Sequence, residues 1–307
     1  MNMPLWLLLA LIVPLMLAAV NMIDKLVVER HVHTTLLYPF YVGIMEMLIA
    51  SSALAILLLT GIESVNWPII AGAMGMGSLR GIGLIFLVSA LRLEQVSRVV
   101  AIWFLNPILV VGMAVVFLSE SVSDLAIMAI VMASLGAGIV SWTGGESSRK
   151  FMAPKVIALA LLSALAWASA NILTKQFVED APFWQFNFGS RLGFGMVMLI
   201  LILSSEVRRD VRTGWRSRPL WALFLLAEVI VTISLPLYYV AIKLGPVSLV
   251  SAVGAIQPLT VLIYSIGLAL LFPATFGGWI ARGRSKLVPQ LIGTLILAAG
   301  VSIVSVQ

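Results

Sequence analysis

Apolar stretches of membrane-spanning length follow one another along the whole chain, separated by short polar links. A helix needs about 20 apolar residues to cross the hydrocarbon core of a bilayer. Ten stretches meet this requirement to within a few residues: 5–23, 38–59, 67–90, 98–118, 124–142, 155–174, 183–204, 219–242, 246–272 and 287–306. The pattern therefore predicts an all-α integral membrane protein with ten transmembrane helices, which we call spans 1 to 10.

Prolines coincide with the predicted starts of the spans. Proline is tolerated in the first turn of a helix, because the amide hydrogen that it lacks would have no helical partner there. Eight prolines lie at or near the start of a span: Pro4, Pro39, Pro68, Pro154, Pro182, Pro219, Pro246 and Pro289. These positions support the boundaries that the hydropathy pattern indicates.

Polar residues of the first half recur in the second half at almost constant spacing. Three of them return in register 150 residues later, as Asn21, Lys25 and Glu29 become Asn171, Lys175 and Glu179. A second match, offset by 151, aligns Asn106-Pro107 with Gln257-Pro258. The spacing indicates a duplication into repeats 1–148 and 149–307 of five spans each. Because five is odd, the second repeat is expected to cross the membrane inverted, an arrangement typical of carriers.

Composition agrees with a bilayer environment and excludes several classes of site. Of the 307 residues, 61% are hydrophobic, 10% are charged and none is cysteine, and the mean hydropathy is +1.11. Disulfides and thiolate metal sites are therefore excluded. The links are too short for a soluble catalytic domain, and we expect neither a cofactor nor a metal.

The basic residues are distributed unevenly between the links. Most lie in the links after spans 1, 3, 5, 7 and 9, and short basic loops stay in the cytoplasm. This predicts extracytoplasmic termini in a membrane that we take to be a bacterial inner membrane. The net charge of +6 is then explained by this topology and by attraction to anionic membrane lipids. The arginines at 208–218 are interpreted as a signal that retains this link in the cytoplasm, so no nucleic acid partner is expected.

Four ionisable residues lie within spans, where such residues are functional candidates by default. Arg80 in span 3 and Glu228 in span 8 have nearly equal predicted depth, so they could meet near the centre. Arg80 would bind a substrate carboxylate, and Glu228 would hold the guanidinium or exchange a proton; a packing salt bridge is the alternative. Glu46 and Arg191 differ by roughly 9 Å in depth at 1.5 Å per residue, which argues against a direct pair.

Two amide and ammonium pairs lie one helical turn apart, in spans 1 and 6. Asn21 with Lys25, and Asn171 with Lys175, share a helix face. They are predicted to contact substrate and to gate opposite mouths of a cavity. Interfacial anchoring by a lysine is the alternative.

Spans 4 and 9 each contain a polar residue followed by proline. Proline removes one helical hydrogen bond and frees a carbonyl. Asn106-Pro107 and Gln257-Pro258 therefore predict kinks, with the prolines as hinges and the amides as substrate contacts. Pro14 and Pro236 predict further breaks in spans 1 and 8.

Aromatic residues deep in the spans supply the remaining candidates. Trp103 lies one turn before Asn106, and Trp167 lies one turn before Asn171. Both are predicted to line the central pathway, and Tyr239 is predicted to join them. Ordinary aromatic packing is the alternative. Glycines of span 3, including Gly77, Gly81 and Gly83, predict close approach of neighbouring helices.

Across essentially its whole length the chain resembles the EamA type of the drug/metabolite transporter superfamily. The resemblance rests on the Asn-x-x-x-Lys elements, on Pro107 and Pro258, on Leu118-Ser119-Glu120, and on the glycines of spans 5 and 10. It implies a carrier of small organic metabolites with two inverted repeats of five helices and a central cavity. Exporters of amino acids and related compounds are common in that family.

The sequence thus predicts a secondary transporter, not an enzyme, which exports an amino acid or related carboxylate by alternating access. Proton coupling through Glu228 or Glu46 and facilitated diffusion both remain open, and the oligomeric state is expected to be a monomer or weak dimer. One alternative is a membrane enzyme acting on lipid-linked substrates, although the spans contain no motif that pairs a nucleophile with a base. The other is a membrane scaffold subunit without transport.

Overall fold

The computed structural model describes residues 3–31, 36–61, 64–141, 152–213, 218–273 and 287–304. The boundary predicted between 148 and 149 lies outside these residues. Within them the chain forms helices and no strand. The α-helices are α1 (Leu5–His31), α2 (Leu37–Thr60), α3 (Trp67–Leu91), α4 (Val96–Trp103), α5 (Asn106–Leu118), α6 (Asp124–Ser141), α7 (Pro154–Asp180), α8 (Phe183–Leu199), α9 (Ser205–Thr213), α10 (Arg218–Leu244), α11 (Val247–Gly254), α12 (Gln257–Leu271) and α13 (Leu287–Val304).

Nine helical segments of the described chain are long and apolar enough to cross a membrane. They correspond to predicted spans 1 to 9, with α4 and α5 forming span 4 and α11 and α12 forming span 9. The predicted span 10 corresponds to α13, whose apolar segment Pro289–Val304 is shorter. The all-helical membrane architecture is therefore confirmed, and a total of ten spans stays a prediction.

Large apolar side chains cover much of the outer surface. Leu59 is 87% exposed, Leu271 is 73% exposed and Val116 is 72% exposed. In water such a surface would be unfavourable, but hydrocarbon chains solvate it well. The exposed residues therefore fit contact with lipid.

Spans 4 and 9 are each interrupted immediately before their Asn-Pro or Gln-Pro pair. The helix α4 ends at Trp103 and α5 begins at Asn106, after a turn of two residues. Likewise α11 ends at Gly254 and α12 begins at Gln257. Pro107 and Pro258 have no amide hydrogen to continue the helical ladder across the turn. The predicted kinks are therefore present as full breaks.

The breaks predicted at the two other prolines are absent. Pro14 lies inside the continuous helix α1, and Pro236 lies inside the continuous helix α10. Neighbouring groups can satisfy the carbonyl that a transmembrane proline frees. A single proline is thus accommodated here without interrupting the helix.

Glycines bring α3 close to two neighbouring helices, as predicted. A methyl group on Gly189 of α8 would lie 2.6 Å from the carbonyl oxygen of Ile70, and one on Gly81 would lie 2.9 Å from Val197. The helices α3 and α8 therefore pack in parallel. The helices α3 and α7 pack antiparallel. Gly72, early in α3, meets Phe177 late in α7, whereas Gly83, late in α3, meets Trp167 earlier in α7.

Three other helix pairs run antiparallel. In α6 and α13, a methyl group on Gly300 would approach Ala129, whereas one on Gly293 would approach Val140. In α2 and α8, Gly43 meets Met198 and Glu46 meets Arg191. The third pair comprises α5 and α11, since Ser248 at the start of α11 donates a hydrogen bond of 2.6 Å to Glu120 just after α5.

Candidate functional site

Arg80 is the centre of a buried polar cluster where α3, α7, α8 and α10 meet. Its side chain is 4% exposed. Its guanidinium donates to Tyr239 Oη at 2.7 Å, to Thr174 Oγ1 at 3.2 Å and to Asn171 Oδ1 at 3.4 Å. Helix α3 thus supplies the charge, and the second half of the chain supplies its three acceptors. We call Arg80, Asn171, Thr174 and Tyr239, together with Trp103 and Trp167, the arginine site.

Each acceptor of Arg80 is itself held in place by a second contact. The Thr174 hydroxyl donates to the carbonyl oxygen of Ala170 at 2.7 Å, one turn earlier in α7. The Tyr239 hydroxyl shares a hydrogen bond of 2.7 Å with Ser190 of α8. Tyr239 is fully buried and packs edge-on against Phe186. The guanidinium is therefore oriented by a preformed set of groups.

Aromatic rings surround the guanidinium on its remaining sides. Its central carbon lies 5.1 Å from the ring centroid of Tyr239, 5.8 Å from that of Trp167 and 5.9 Å from that of Tyr238. At these distances the negative faces of the rings attract a cation. In the described part of the chain no carboxylate forms an ion pair with Arg80. Its positive charge is therefore held by neutral groups alone.

Three hydrogen-bond donors in this region are buried and have no acceptor among the described residues. They are Arg80 Nε, Trp167 Nε1 and Trp103 Nε1. The two indoles belong to adjacent side chains, because their rings meet edge to face with centroids 6.1 Å apart. A buried donor without an acceptor is unfavourable. The arginine site therefore has the donor excess that suits an acidic ligand.

The arginine site is closed in this conformation. Two cavities are described, and neither includes Arg80. The larger, of about 300 Å³, is apolar and lies between α4, α6 and α13, with Ala101, Ser134 and Pro289 among its lining residues. With 4% exposure, the side chain of Arg80 is enclosed by its neighbours in this conformation.

Arg80 and Glu228 do not meet, contrary to the prediction. Among the residues described, no hydrogen bond or ion pair joins them. Glu228 lies instead within electrostatic range of Asp24, Glu46 and Arg191. Equal depth in two spans does not bring side chains together, because helix rotation decides which neighbour each one faces.

Glu46 and Arg191 form a direct ion pair, which the sequence argued against. Arg191 Nη1 lies 2.6 Å from Glu46 Oε2, and the side chains are only 1% and 5% exposed. Arg191 also donates to Asn187 Oδ1 at 3.1 Å. The long arginine side chain bridges the difference in depth, and glycines such as Gly43 and Gly195 let α2 and α8 approach closely.

The two Asn-x-x-x-Lys elements differ in their surroundings. Asn171 is buried in the arginine site, but its counterpart Asn21 is exposed. Lys175 donates to the carbonyl oxygens of Ile242 at 3.1 Å and Gly245 at 3.3 Å, at the end of α10. This placement satisfies carbonyls that the helix end leaves free. The side chain of Lys25 lies outside the described residues.

The amides before the two interior prolines also differ. Asn106 is buried, and its Nδ2 donates to the carbonyl oxygen of Ala164 at 2.8 Å. Asn106 therefore ties the break in span 4 to α7. Gln257 is partly buried. No observation tests a substrate contact at either amide or a hinge role for Pro107 and Pro258.

Sequence reasoning missed Thr174, Ser190 and Asp24. Asp24, in α1, accepts a hydrogen bond from Tyr38. A signal was available in the repeat, because Asp24 and Thr174 occupy the same position of the two Asn-x-x-x-Lys elements. Ser190 has no comparable sequence signal.

Comparison with known proteins identifies the second half of the chain. The sequence model of the EamA-like transporter family matches residues 154–280. No curated protein matches the chain. A solved structure titled "Crystal structure of protein" superposes with a TM-score of 0.71 over 98% of this chain and 98% of its own, at 17% sequence identity. Such a low identity shows a shared fold alone.

The family match agrees with the nine apolar helices and with the predicted resemblance. It covers α7 to α12, which include Asn171, Thr174, Ser190 and Tyr239. The resemblance predicted from sequence is confirmed. The chain is therefore an integral membrane protein whose residues 154–280 match the EamA-like transporter family.

Proposed function

We propose that this protein is a secondary transporter that exports a small organic metabolite bearing a carboxylate, with an amino acid or related compound as the best candidate. One observation carries the proposal: among the described residues, the buried guanidinium of Arg80 contacts neutral acceptors and aromatic rings and no carboxylate. A charge buried without a counterion is costly. A substrate carboxylate would supply the missing negative charge.

The free donors indicate how a carboxylate would bind. A guanidinium presents its N–H groups as a planar fork that matches the two oxygens of a carboxylate. Among the described residues, Arg80 Nε and the indole N–H of the adjacent Trp167 have no acceptor, and neither does the indole N–H of Trp103, whose ring contacts Trp167. We propose that the carboxylate accepts from Arg80 and that these indoles contact the rest of the substrate.

Alternating access is the mechanism that we propose, with repeats 1–148 and 149–307 as the two inverted halves. The antiparallel pairs α2 with α8, α5 with α11, and α6 with α13 support this arrangement. They join equivalent spans of the proposed repeats, and inversion requires such spans to run in opposite directions. Arg80 belongs to one half and its three acceptors to the other. Relative motion of the halves would therefore open the arginine site.

The charge distribution supports an orientation and a location in the membrane. We propose that the basic links after the odd spans lie in the cytoplasm of a bacterium and that the termini lie outside. The short helix α9 supports this, since Arg208, Arg209 and Arg212 place cationic charge at that end of the bundle.

A ligand screen followed by transport tests the proposal. Purified protein is heated with amino acids, organic acids, amines and nucleotides, and ligands that raise the melting temperature are then assayed for uptake into proteoliposomes. We expect carboxylates to stabilise the protein and their amides not to. In Arg80→Gln the affinity should fall by about tenfold to a hundredfold, as expected for a hydrogen bond to a charged group.

Arg92→Gln is the matched control, because Arg92 directly follows the helix that carries Arg80 but pairs with Glu206 at the surface, where its side chain is 40% exposed. It should bind like the wild type. Unchanged carboxylate affinity in Arg80→Gln, or stabilisation by amines alone, would refute the proposal.

A further inference from the structure

A second buried polar cluster joins α1, α2, α8 and α10. It comprises Asp24, Tyr38, Glu46, Arg191 and Glu228, and we call it the acidic cluster. Asp24 accepts a hydrogen bond from Tyr38, and Glu46 forms the ion pair with Arg191. Glu228 lies within electrostatic range of Asp24, Glu46 and Arg191. Glu46 and Glu228 thus both interact with the guanidinium of Arg191.

Glu228 is the member of this cluster whose carboxyl group is incompletely hydrogen-bonded among the described residues. It is 4% exposed, and its Oε2 is buried without a hydrogen bond from any described residue. The one guanidinium nearby is already occupied, since Arg191 donates to Glu46, to Asn187 and to the carbonyl oxygen of Thr232. An isolated carboxylate is unfavourable in such surroundings, whereas a protonated carboxyl group is neutral.

Among the side chains that the structure describes, the other charged groups that contact α10 are distant from Glu228 along the helix. Arg80 reaches α10 at Tyr239. Lys175 reaches it at Ile242, Lys243 and Gly245. Tyr239 lies about 16 Å beyond Glu228 at a rise of 1.5 Å per residue. The groups facing Glu228 are therefore those of the acidic cluster.

We propose that Glu228 binds the proton that is coupled to substrate movement, and that Arg191 transmits its protonation state to the arginine site. This inference rests on the proposed transport function. The proton comes from water and binds a carboxylate oxygen of Glu228 in one conformation. It returns to water on the opposite side in the other conformation. No further reactant is needed.

The geometry of α10 connects the two sites. Pro236 lacks an amide hydrogen, so it cannot donate to the carbonyl oxygen of Thr232 one turn earlier. Arg191 Nη2 donates to this carbonyl at 3.3 Å. The same arginine therefore binds Glu46 and the weakened turn of α10, between Glu228 and Tyr239.

Loss of the proton from Glu228 changes which acceptors compete for the guanidinium of Arg191. A charged Glu228 attracts the guanidinium and competes with Glu46 and the Thr232 carbonyl. When Arg191 moves, the carbonyl at the proline loses its donor, and α10 bends more easily at this turn. Tyr239 lies three residues beyond Pro236, so its hydroxyl shifts relative to Arg80. Proton release and opening of the arginine site are thereby linked.

The first test uses the proton itself as the probe and needs no substrate. Infrared difference spectra are recorded on the reconstituted protein while the pH is raised. We expect the wild type to lose the carbonyl band of a protonated carboxyl group, and Glu228→Gln to lack that change. Glu206→Gln is the matched control and should behave like the wild type, because Glu206 lies at the surface with its side chain 42% exposed. An identical spectral change in wild type and Glu228→Gln would overturn the inference.

The second test measures coupling in proteoliposomes that accumulate amino acids from outside. A radiolabelled mixture of L-amino acids is added to the medium, and the membrane potential is clamped. A pH gradient of one unit should support up to about tenfold accumulation of a substrate coupled to one proton. Glu228→Gln should lose this accumulation, and Glu228→Asp should retain it over a different pH range. Accumulation that persists in Glu228→Gln, or that follows a sodium gradient instead, would also overturn the inference. If the wild type moves no amino acid at all, the proposed substrate class fails, while the infrared test of Glu228 stands.

Discussion

Trp167 lies against the backbone of Gly83, such that a methyl group on Gly83 would stand 2.8 Å from the indole Cδ1 and 3.0 Å from Nε1. This contact fixes the indole beside the guanidinium of Arg80, 5.8 Å from its central carbon. A glycine in α3 therefore determines the position of an aromatic ring in α7. Packing of the helix backbone and geometry of the arginine site are linked at this point.

Gly83→Ala should displace Trp167 and weaken carboxylate binding. The added methyl group overpacks a filled interface, which costs about 1–3 kcal/mol. Thermal unfolding and ligand affinity measure the two effects. Gly75→Ala is the matched control, because nothing lies within 4 Å of its added methyl group. It should be neutral or stabilising, since alanine favours a helix over glycine by about 1 kcal/mol. Wild-type affinity in Gly83→Ala would contradict this account of the site.

Tyr239→Phe should destabilise the protein and reduce ligand affinity. The substitution removes the hydroxyl that accepts from Arg80 and also bonds Ser190. A buried donor left without its acceptor costs about 1–3 kcal/mol. Chemical denaturation in detergent measures the loss. Tyr264→Phe serves as the control, because Tyr264 is a partly buried tyrosine of α12 outside the arginine site. It should have little effect. Equal stability of the two variants would show that the Arg80 network is dispensable.

Glu46→Gln should destabilise the protein far more than Glu206→Gln. Removing Glu46 leaves Arg191 buried without a counterion, and breaking a buried pair costs about 3–5 kcal/mol. The Arg92 and Glu206 pair is exposed, and such pairs contribute about 0–1 kcal/mol. Unfolding free energies of the two variants provide the comparison. Similar losses would mean that Arg191 finds another partner, for which Glu228 is the nearest candidate.

Cysteine labelling should establish the orientation in the membrane. The chain has no cysteine, so one introduced thiol is the only target for a membrane-impermeant reagent. Ser121→Cys lies in the link after span 4 and should react in intact cells. Ser205→Cys lies in the link after span 7 and should react only after permeabilisation. Both side chains are exposed. The reverse pattern would invert the proposed topology.

The sequence by itself determined the helices and their order. A backbone in hydrocarbon must satisfy its own hydrogen bonds, so long apolar stretches become helices whatever their neighbours are. Nine predicted spans are present for this reason. The interruptions before Asn106 and Gln257 were predictable on equally local grounds, because proline lacks the amide hydrogen that the helix requires.

Only the tertiary structure decided which buried polar groups meet. Arg80 and Glu228 have similar depth in the sequence pattern, yet Arg80 faces Asn171, Thr174 and Tyr239, and Glu228 faces the acidic cluster. Depth follows from position along a helix, whereas facing follows from how each helix rotates and how closely its neighbours approach. Glycine contacts set that approach here, and they involve residues far apart in the chain. The sequence therefore supplied the charged groups, and packing assigned their partners.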